Sequence, residues 1–276
     1  MSDCNSCSSK DGCNKDKESC MIENNPLNKV KKIIGVMSGK GGVGKSSISV
    51  VIAKQLKALG YSVGVLDADI TGPSVPRLLG VENKKVMMAE NAMYPVKTSD
   101  GIKVMSINLL MENEENPVLW RGPIISGMVK QFWTDVLWEE LDYLVIDMPP
   151  GTGDVALTVM QSIPIDGVVM VSVPQDLVSM IVSKAVNMVK KMDINLLGVI
   201  ENMGYITCAK CGDKMKLFNG DNTEKFLKDM NLKLLGELPM LNSINNLGQY
   251  DNAHIDESLE LIFDPIVNNI ISELEY

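Results

Sequence analysis

An α/β fold, built as a mostly parallel sheet with helices on both faces, is predicted by two features of the chain. Its strand candidates are apolar throughout instead of alternating, and stretches of helical length and composition separate them. A strand without a polar face must be covered on both sides, and parallel neighbours need a crossover between them. At 276 residues the chain is long enough for one large domain of this kind.

Residues 1–30 stand apart from the rest. They carry four of the six cysteines and no aromatic residue, with Ser, Asn, Asp and Lys between. Such a segment cannot bury enough apolar surface to order itself, so a flexible Cys-rich tail is expected unless a metal holds it. Residues 31–276 form the domain. Lys32–Met37 reads as its first strand, followed by a Gly-rich turn and a helix from about Gly44 to Leu59. Further strands are expected at Ser62–Leu66, Val104–Ile107, Leu141–Ile146, Gly167–Val173, Ile194–Ile200 and Leu232–Leu238. Helices are expected at Asp154–Ser162, Val178–Lys191 and Leu259–Leu274, with Pro265 breaking or opening the last. Phe132, Trp133, Leu137 and Trp138 read as one helix packed in the core or against a second copy. Residues 81–100 and a C-x-x-C loop at about 203–220 read as excursions from the sheet.

Composition narrows the function classes. The formal net charge is -9, which disfavours nucleic acid and anionic membranes as partners, because both are bound through excess Lys and Arg. No apolar run reaches membrane-spanning length, and the first residues lack the apolar stretch of a secretory signal. A cytoplasmic location is expected, where thiols stay reduced and six cysteines read as metal ligands or free thiols, not disulfides. His254 lies in a polar stretch and reads as solvated or capping, and the 19 methionines read as core filling.

The stretch Gly39-Lys40-Gly41-Gly42-Val43-Gly44-Lys45-Ser46 satisfies G-x-x-x-x-G-K-[ST] between a strand and a helix. This is the phosphate-binding P-loop context, in which glycines turn backbone N–H groups inward and the helix N-terminus adds positive potential. Lys45 would reach the β- and γ-phosphates and Ser46 would offer its hydroxyl to Mg²⁺, with Ser47 completing the nucleotide-binding stretch. Asp67, Asp69 and Asp147 end or follow apolar strands, at the sheet edge where open α/β folds bind ligands. Asp147 is placed to hold Mg²⁺ directly or through water, and the loop Met148–Asp154 to sense the γ-phosphate; a helix cap or turn is the bland reading of any one strand-end Asp. No N-K-x-D guanine signature occurs, so ATP is the expected nucleotide.

A second lysine in the loop, Lys40, is not needed by an ordinary P-loop. With it the chain resembles the deviant Walker A group, which includes the nitrogenase iron protein and the MinD and ParA ATPases. Within that group it is most similar to the Mrp/ApbC-type iron–sulfur cluster carriers. The resemblance rests on Ser38–Ser46, Asp67-Ala68-Asp69-Ile70-Thr71-Gly72-Pro73-Ser74-Val75-Pro76 and Trp120-Arg121-Gly122-Pro123. It extends over Asp147-Met148-Pro149-Pro150-Gly151-Thr152-Gly153-Asp154, Glu201-Asn202-Met203 and Cys208-Ala209-Lys210-Cys211. It implies a homodimeric ATPase that passes clusters to apo iron–sulfur proteins. By position it implies that Lys40 crosses to the partner's nucleotide, that Asp69 orients the attacking water, and that Asn202 reads the adenine edge.

Two thiolates, Cys208 and Cys211, cannot complete the four-ligand shell of a [4Fe–4S] cluster, but a two-fold dimer supplies four. A redox dithiol, half of a zinc site, or unliganded thiols are the other readings of this pair. Cys4, Cys7, Cys13 and Cys20 form a C-x2-C-x5-C-x6-C series that a cluster or zinc would satisfy, or that holds no fixed metal. Its first three cysteines resemble the N-terminal cluster site of the eukaryotic cytosolic members, whose fourth cysteine lies upstream instead. Competing functions are a positioning ATPase of the MinD or ParA kind and ATP-driven electron transfer. No Lys or Arg follows Lys233, unlike the basic membrane helix that ends MinD-type proteins.

Overall fold

The computed structural model describes residues 22–70, 72–89, 92–111, 122–177, 180–208, 210–216, 223–240 and 257–275. Its centre is β1 (Lys29–Ser38), β2 (Val63–Asp67), β7 (Glu140–Asp147), β8 (Gly167–Ser172) and β9 (Asn195–Thr207). Around them lie β5 (Val96–Lys97), β6 (Lys103–Met105), β10 (Lys214–Lys216) and β11 (Leu234–Pro239). The order β10-β9-β8-β1-β7-β2-β6-β5, with β11 also on β9, makes one sheet. Its central pairs are all parallel, while β5 and β10 run antiparallel to their neighbours.

Both faces are covered, as fully apolar strands demand. Ile34, Val36, Val145 and Val169 pack on one face against α1 (Lys45–Ala58) and α8 (Glu257–Glu275). Ile33, Met37, Leu144, Ile146 and Met170 point the other way, towards α3 (Gly122–Thr134), α4 (Asp154–Ser162) and α6 (Met180–Lys191). Successive side chains of a strand alternate between faces, so one apolar run feeds two cores.

Several boundaries differ from the sequence expectation. The domain is engaged before residue 31: the Ile22 N–H donates to the Ser162 carbonyl, Asn28 bridges Val136 and Glu139, and β1 opens at Lys29. α8 runs unbroken through Pro265, because Phe263, Ile266, Val267 and Ile270 on either side of it are buried. Trp138 is not helical with Trp133. The chain leaves α3 at Thr134 and extends so that Val136 bridges Met93, and the buried Trp138 indole donates to the Phe132 carbonyl. The 81–100 excursion contains a hairpin of β3 (Met87–Ala89) and β4 (Ala92–Tyr94), then β5. β9 continues seven residues past the expected Ile200, held by β11 and then by β10. The elements α2 (Val75–Leu78), α5 (Pro174–Leu177) and α7 (Thr223–Asp229) fill connections. Cys4, Cys7, Cys13, Cys20, Thr71, Trp120, Arg121 and His254 lie outside the described residues. Among the described residues no helix is long and apolar enough to cross a membrane.

Candidate functional site

The carboxyl ends of β1, β7 and β2 lie side by side, with Asp147 in register with Val36 on one flank and with Asp67 on the other. The chain leaving β1 turns back over this edge as the 39–44 loop and enters α1 at Lys45. Gly42 and Gly44 both take left-handed φ, +81° and +86°, which L side chains rarely adopt. Lys40, Gly41 and Gly42 are exposed, while the Val43 side chain is buried and pins the loop to the core.

Lys45 is buried with its ammonium 2.8 Å from Asp147 Oδ1 and 3.6 Å from Asp69 Oδ2. The Ser46 hydroxyl donates to Asp147 Oδ2 at 2.6 Å. The Ser49 hydroxyl stands 2.8 Å from Asp147 Oδ1 and 3.0 Å from the Lys45 carbonyl, so its single proton serves one of them at a time. Asp147 itself is wholly buried. A buried carboxylate needs such partners, since an unpaired charge in the interior is strongly unfavourable.

Asp67 is equally buried, and burial, with the Asp147 charge beside it, pushes its carboxyl well above the ordinary carboxylate range. Lys45 and the Ser106 hydroxyl, 3.1 Å from Asp67 Oδ2, act in the opposite sense. Asp67 also accepts the backbone N–H groups of Asp69 and Val75, and so shapes the segment after β2. After β7, the Met148 N–H donates to Val36 and the Gly151 N–H to Ser38, which lays the Pro-Pro-Gly loop alongside the phosphate loop.

Asn202 lies inside β9 and is 2% exposed. Its amide donates to the Val43 carbonyl at 2.9 Å, and its own carbonyl accepts the Met203 N–H at 3.0 Å. A Cβ on Gly44 would collide with that amide nitrogen. The side chain is therefore engaged with the loop backbone from behind.

Cys208 and Cys211 are on the turn between β9 and β10. The turn is closed by the Cys208 N–H to the Asp213 carbonyl and the Gly212 N–H to the Cys208 carbonyl, each 2.9 Å. Cys211 Sγ lies 3.1 Å from Asp213 Oδ2. The backbone N–H groups of Cys211 and Lys210, aimed at the Cys208 sulfur, hold its thiol below the usual range. Among the described residues no group of three or more Cys, His, Asp or Glu could hold a metal ion, and the two cysteines stand on this turn as a pair. A cavity of about 590 Å³ beside Lys84, Tyr94, Lys97 and Lys103 lies at the β5–β6 edge and shares no residue with the loop.

The structure thus gathers Gly39 to Ser46, Asp67, Asp69, Asp147 and Asn202 at one edge, and leaves Cys208 and Cys211 on a separate turn. Sequence reasoning missed Ser49 and Ser106. Ser49 was within reach of it: four residues after Lys45 on one helix, it must share that lysine's face. Ser106 comes after a three-residue strand whose pairing with β2 no local pattern reveals.

The comparisons agree with this geometry. The model of the NUBPL iron-transfer P-loop NTPase family (ParA) matches residues 29–274. An iron–sulfur cluster carrier protein of Clostridium perfringens is 50% identical over 254 residues, spanning 87% of this chain and 89% of that one. One of Methanocaldococcus jannaschii is 44% identical, over 86% and 83%. Among solved structures, a nucleotide-binding protein of Archaeoglobus fulgidus in complex with ADP is 40% identical, with a TM-score of 0.71 over 81% of this chain and 88% of that one. MinD of Pyrococcus horikoshii, at 19% identity and a TM-score of 0.62 over 87% and 95%, shares the fold. With a match of this extent laid over a complete phosphate loop, the chain belongs to the NUBPL iron-transfer P-loop NTPase family.

Proposed function

We propose that this chain is an ATP-hydrolysing carrier that holds a [4Fe–4S] cluster between two copies and delivers it to apo iron–sulfur proteins in the cytoplasm. The observation that carries the reading is the Cys208–Cys211 pair, with Cys208 half-buried and Cys211 exposed, half of a four-thiolate shell on a domain whose phosphate loop is complete. Relatives at 44–50% identity that are named iron–sulfur cluster carriers support it.

At the nucleotide, Gly42 and Gly44 shape the cradle of N–H groups and Lys45 neutralises phosphate charge. The Ser46 hydroxyl and the Asp147 carboxylate, hard oxygen donors 2.6 Å apart, suit Mg²⁺ as ligands. Bound there, Mg²⁺ would spread the charge that develops on the transferred phosphoryl group. Asp69, 3.6 Å from the Lys45 ammonium, orients the attacking water, and the exposed Lys40 reaches the nucleotide of the second copy. Adenine recognition by Asn202 would require its amide to leave Val43. Cys4, Cys7, Cys13 and Cys20 are proposed as a second cluster or zinc site.

Anaerobic reconstitution followed by mixing with an apo-ferredoxin tests the proposal. Cluster appearing on the ferredoxin while the carrier bleaches is the expected result. A cluster that stays on this protein while a redox partner becomes reduced would replace the carrier with an electron-transfer protein.

A further inference from the structure

One strand connects the two sites. β9 carries Asn202 against the phosphate loop and runs on to Thr207, directly before Cys208. Cys208 follows Asn202 by six positions, at most about 20 Å of extended chain.

The Asn202 contact has a directional consequence. In a trans peptide the C=O and the next N–H point opposite ways. By holding the Val43 carbonyl towards β9, Asn202 turns the Gly44 N–H away from β9, to the side on which a phosphate-loop nest collects anions. A phosphate that draws on that N–H therefore pulls on Asn202 through a single peptide plane.

The strand is not regular where it would receive that pull. Met203 has φ +57°, a left-handed conformation that a methionine adopts only at a cost, and its N–H is held by the Asn202 side chain. Between the pairs Glu201–Glu237 and Tyr205–Pro239, β9 spends three residues where β11 spends one. Such a bulge re-aims the residues beyond it. Past the bulge, Tyr205 re-enters the ladder through Met240 and β10, and the cysteine turn begins.

We propose that Asn202 is a positioning residue for the phosphate loop, and that Asn202 and Met203 form the joint by which nucleotide at the loop alters the setting of Cys208 and Cys211. The inference rests on the reading that this site binds ATP and that these cysteines are the cluster ligands.

The test uses the full chain, cluster-free and reduced. Affinity for a fluorescent ATP analogue is measured first. Alkylation rates of Cys208 and Cys211 are then followed by peptide mass spectrometry with and without saturating Mg-ATP. In the wild type, nucleotide changes the Cys208 rate at least three-fold. Asn202→Asp keeps the size of the side chain but loses its donor; it weakens nucleotide about ten-fold, and at saturation the rate change is lost. Met203→Gly removes the conformational cost at the joint; it leaves affinity within three-fold yet reduces the rate change to less than half. A wild type that binds nucleotide with no change in either cysteine overturns the joint while leaving the ATPase reading intact. Asn202→Asp or Met203→Gly with the full change at saturation overturns it as well. A wild type that binds no nucleotide overturns both readings, and the first titration identifies that outcome.

Discussion

Gly44→Ala probes the loop where two independent costs coincide, and Gly42→Ala supplies the control. Both residues hold left-handed φ, +86° and +81° respectively, so each alanine bears a conformational penalty of about 1–2 kcal/mol. Nothing lies within 4 Å of a Cβ at Gly42, whereas one at Gly44 strikes the Asn202 amide. That collision displaces the donor from a buried carbonyl, which adds about 1–3 kcal/mol. For a domain of this size each kcal/mol lowers Tm by roughly 2–3 °C. Calorimetry without nucleotide should therefore find Gly44→Ala melting about 2–9 °C below Gly42→Ala. Adding Asn202→Ala should cost Gly44→Ala less than it costs the wild type, because the collision has already broken the hydrogen bond to Val43 that the second substitution removes. Equal melting of the two alanine variants, or strict additivity in the double variant, would refute the idea that Asn202 bears on the loop.

Four further outcomes are expected. Asp142 accepts from Lys31 and from the N–H and hydroxyl of Ser62, which hold its carboxyl at about 2. Its contribution is then present above the ordinary carboxylate value near 4 and lost as pH falls towards 2. Urea denaturation should show Asp142→Ala costing about 1–2 kcal/mol at pH 7 and almost nothing at pH 2. Asp67 has the opposite sign: its raised folded value makes it destabilising once pH climbs above the unfolded value. The Asp67→Asn variant, without nucleotide or Mg²⁺, should gain stability relative to wild type between pH 4 and pH 7. Phe263, wholly buried where α8 meets α1, should cost about 3–5 kcal/mol as alanine, read from the urea midpoint. The alkylation rate of Cys208 against pH should have its midpoint below that of an ordinary thiol, because two backbone N–H groups stabilise its thiolate.

Legibility in the sequence divides along physical lines. The central strands and α1, α4 and α6 were legible because apolar runs and the 3.6-residue period are local signals, and the phosphate loop because its glycines, lysine and serine are contiguous. The two lateral neighbours Asp67 and Asp147 were each visible as strand ends. Their adjacency was not, since it comes from the order β1-β7-β2, which brings together residues eighty positions apart. β5, β6 and β10 are two or three residues long, too short to carry a period. The continuation of β9 past Ile200 was hidden by Asn202 and Gly204, residues that read as the end of a strand and serve here as a bulge. Asn202 is the instructive case. Resemblance assigns it to the adenine edge, while its buried amide engages the backbone carbonyl of Val43, a contact with no sequence signature because any residue supplies that carbonyl.

If Cys208 and Cys211 of two copies hold one transferable cluster, removing the thiols must remove the metal. Iron and acid-labile sulfide per dimer, measured after anaerobic reconstitution of the wild type and of Cys208→Ala/Cys211→Ala, report on this without any assumption about clients or hydrolysis. The double variant should lose about four iron and four sulfide per dimer. An unchanged iron and sulfide content would contradict the shared site.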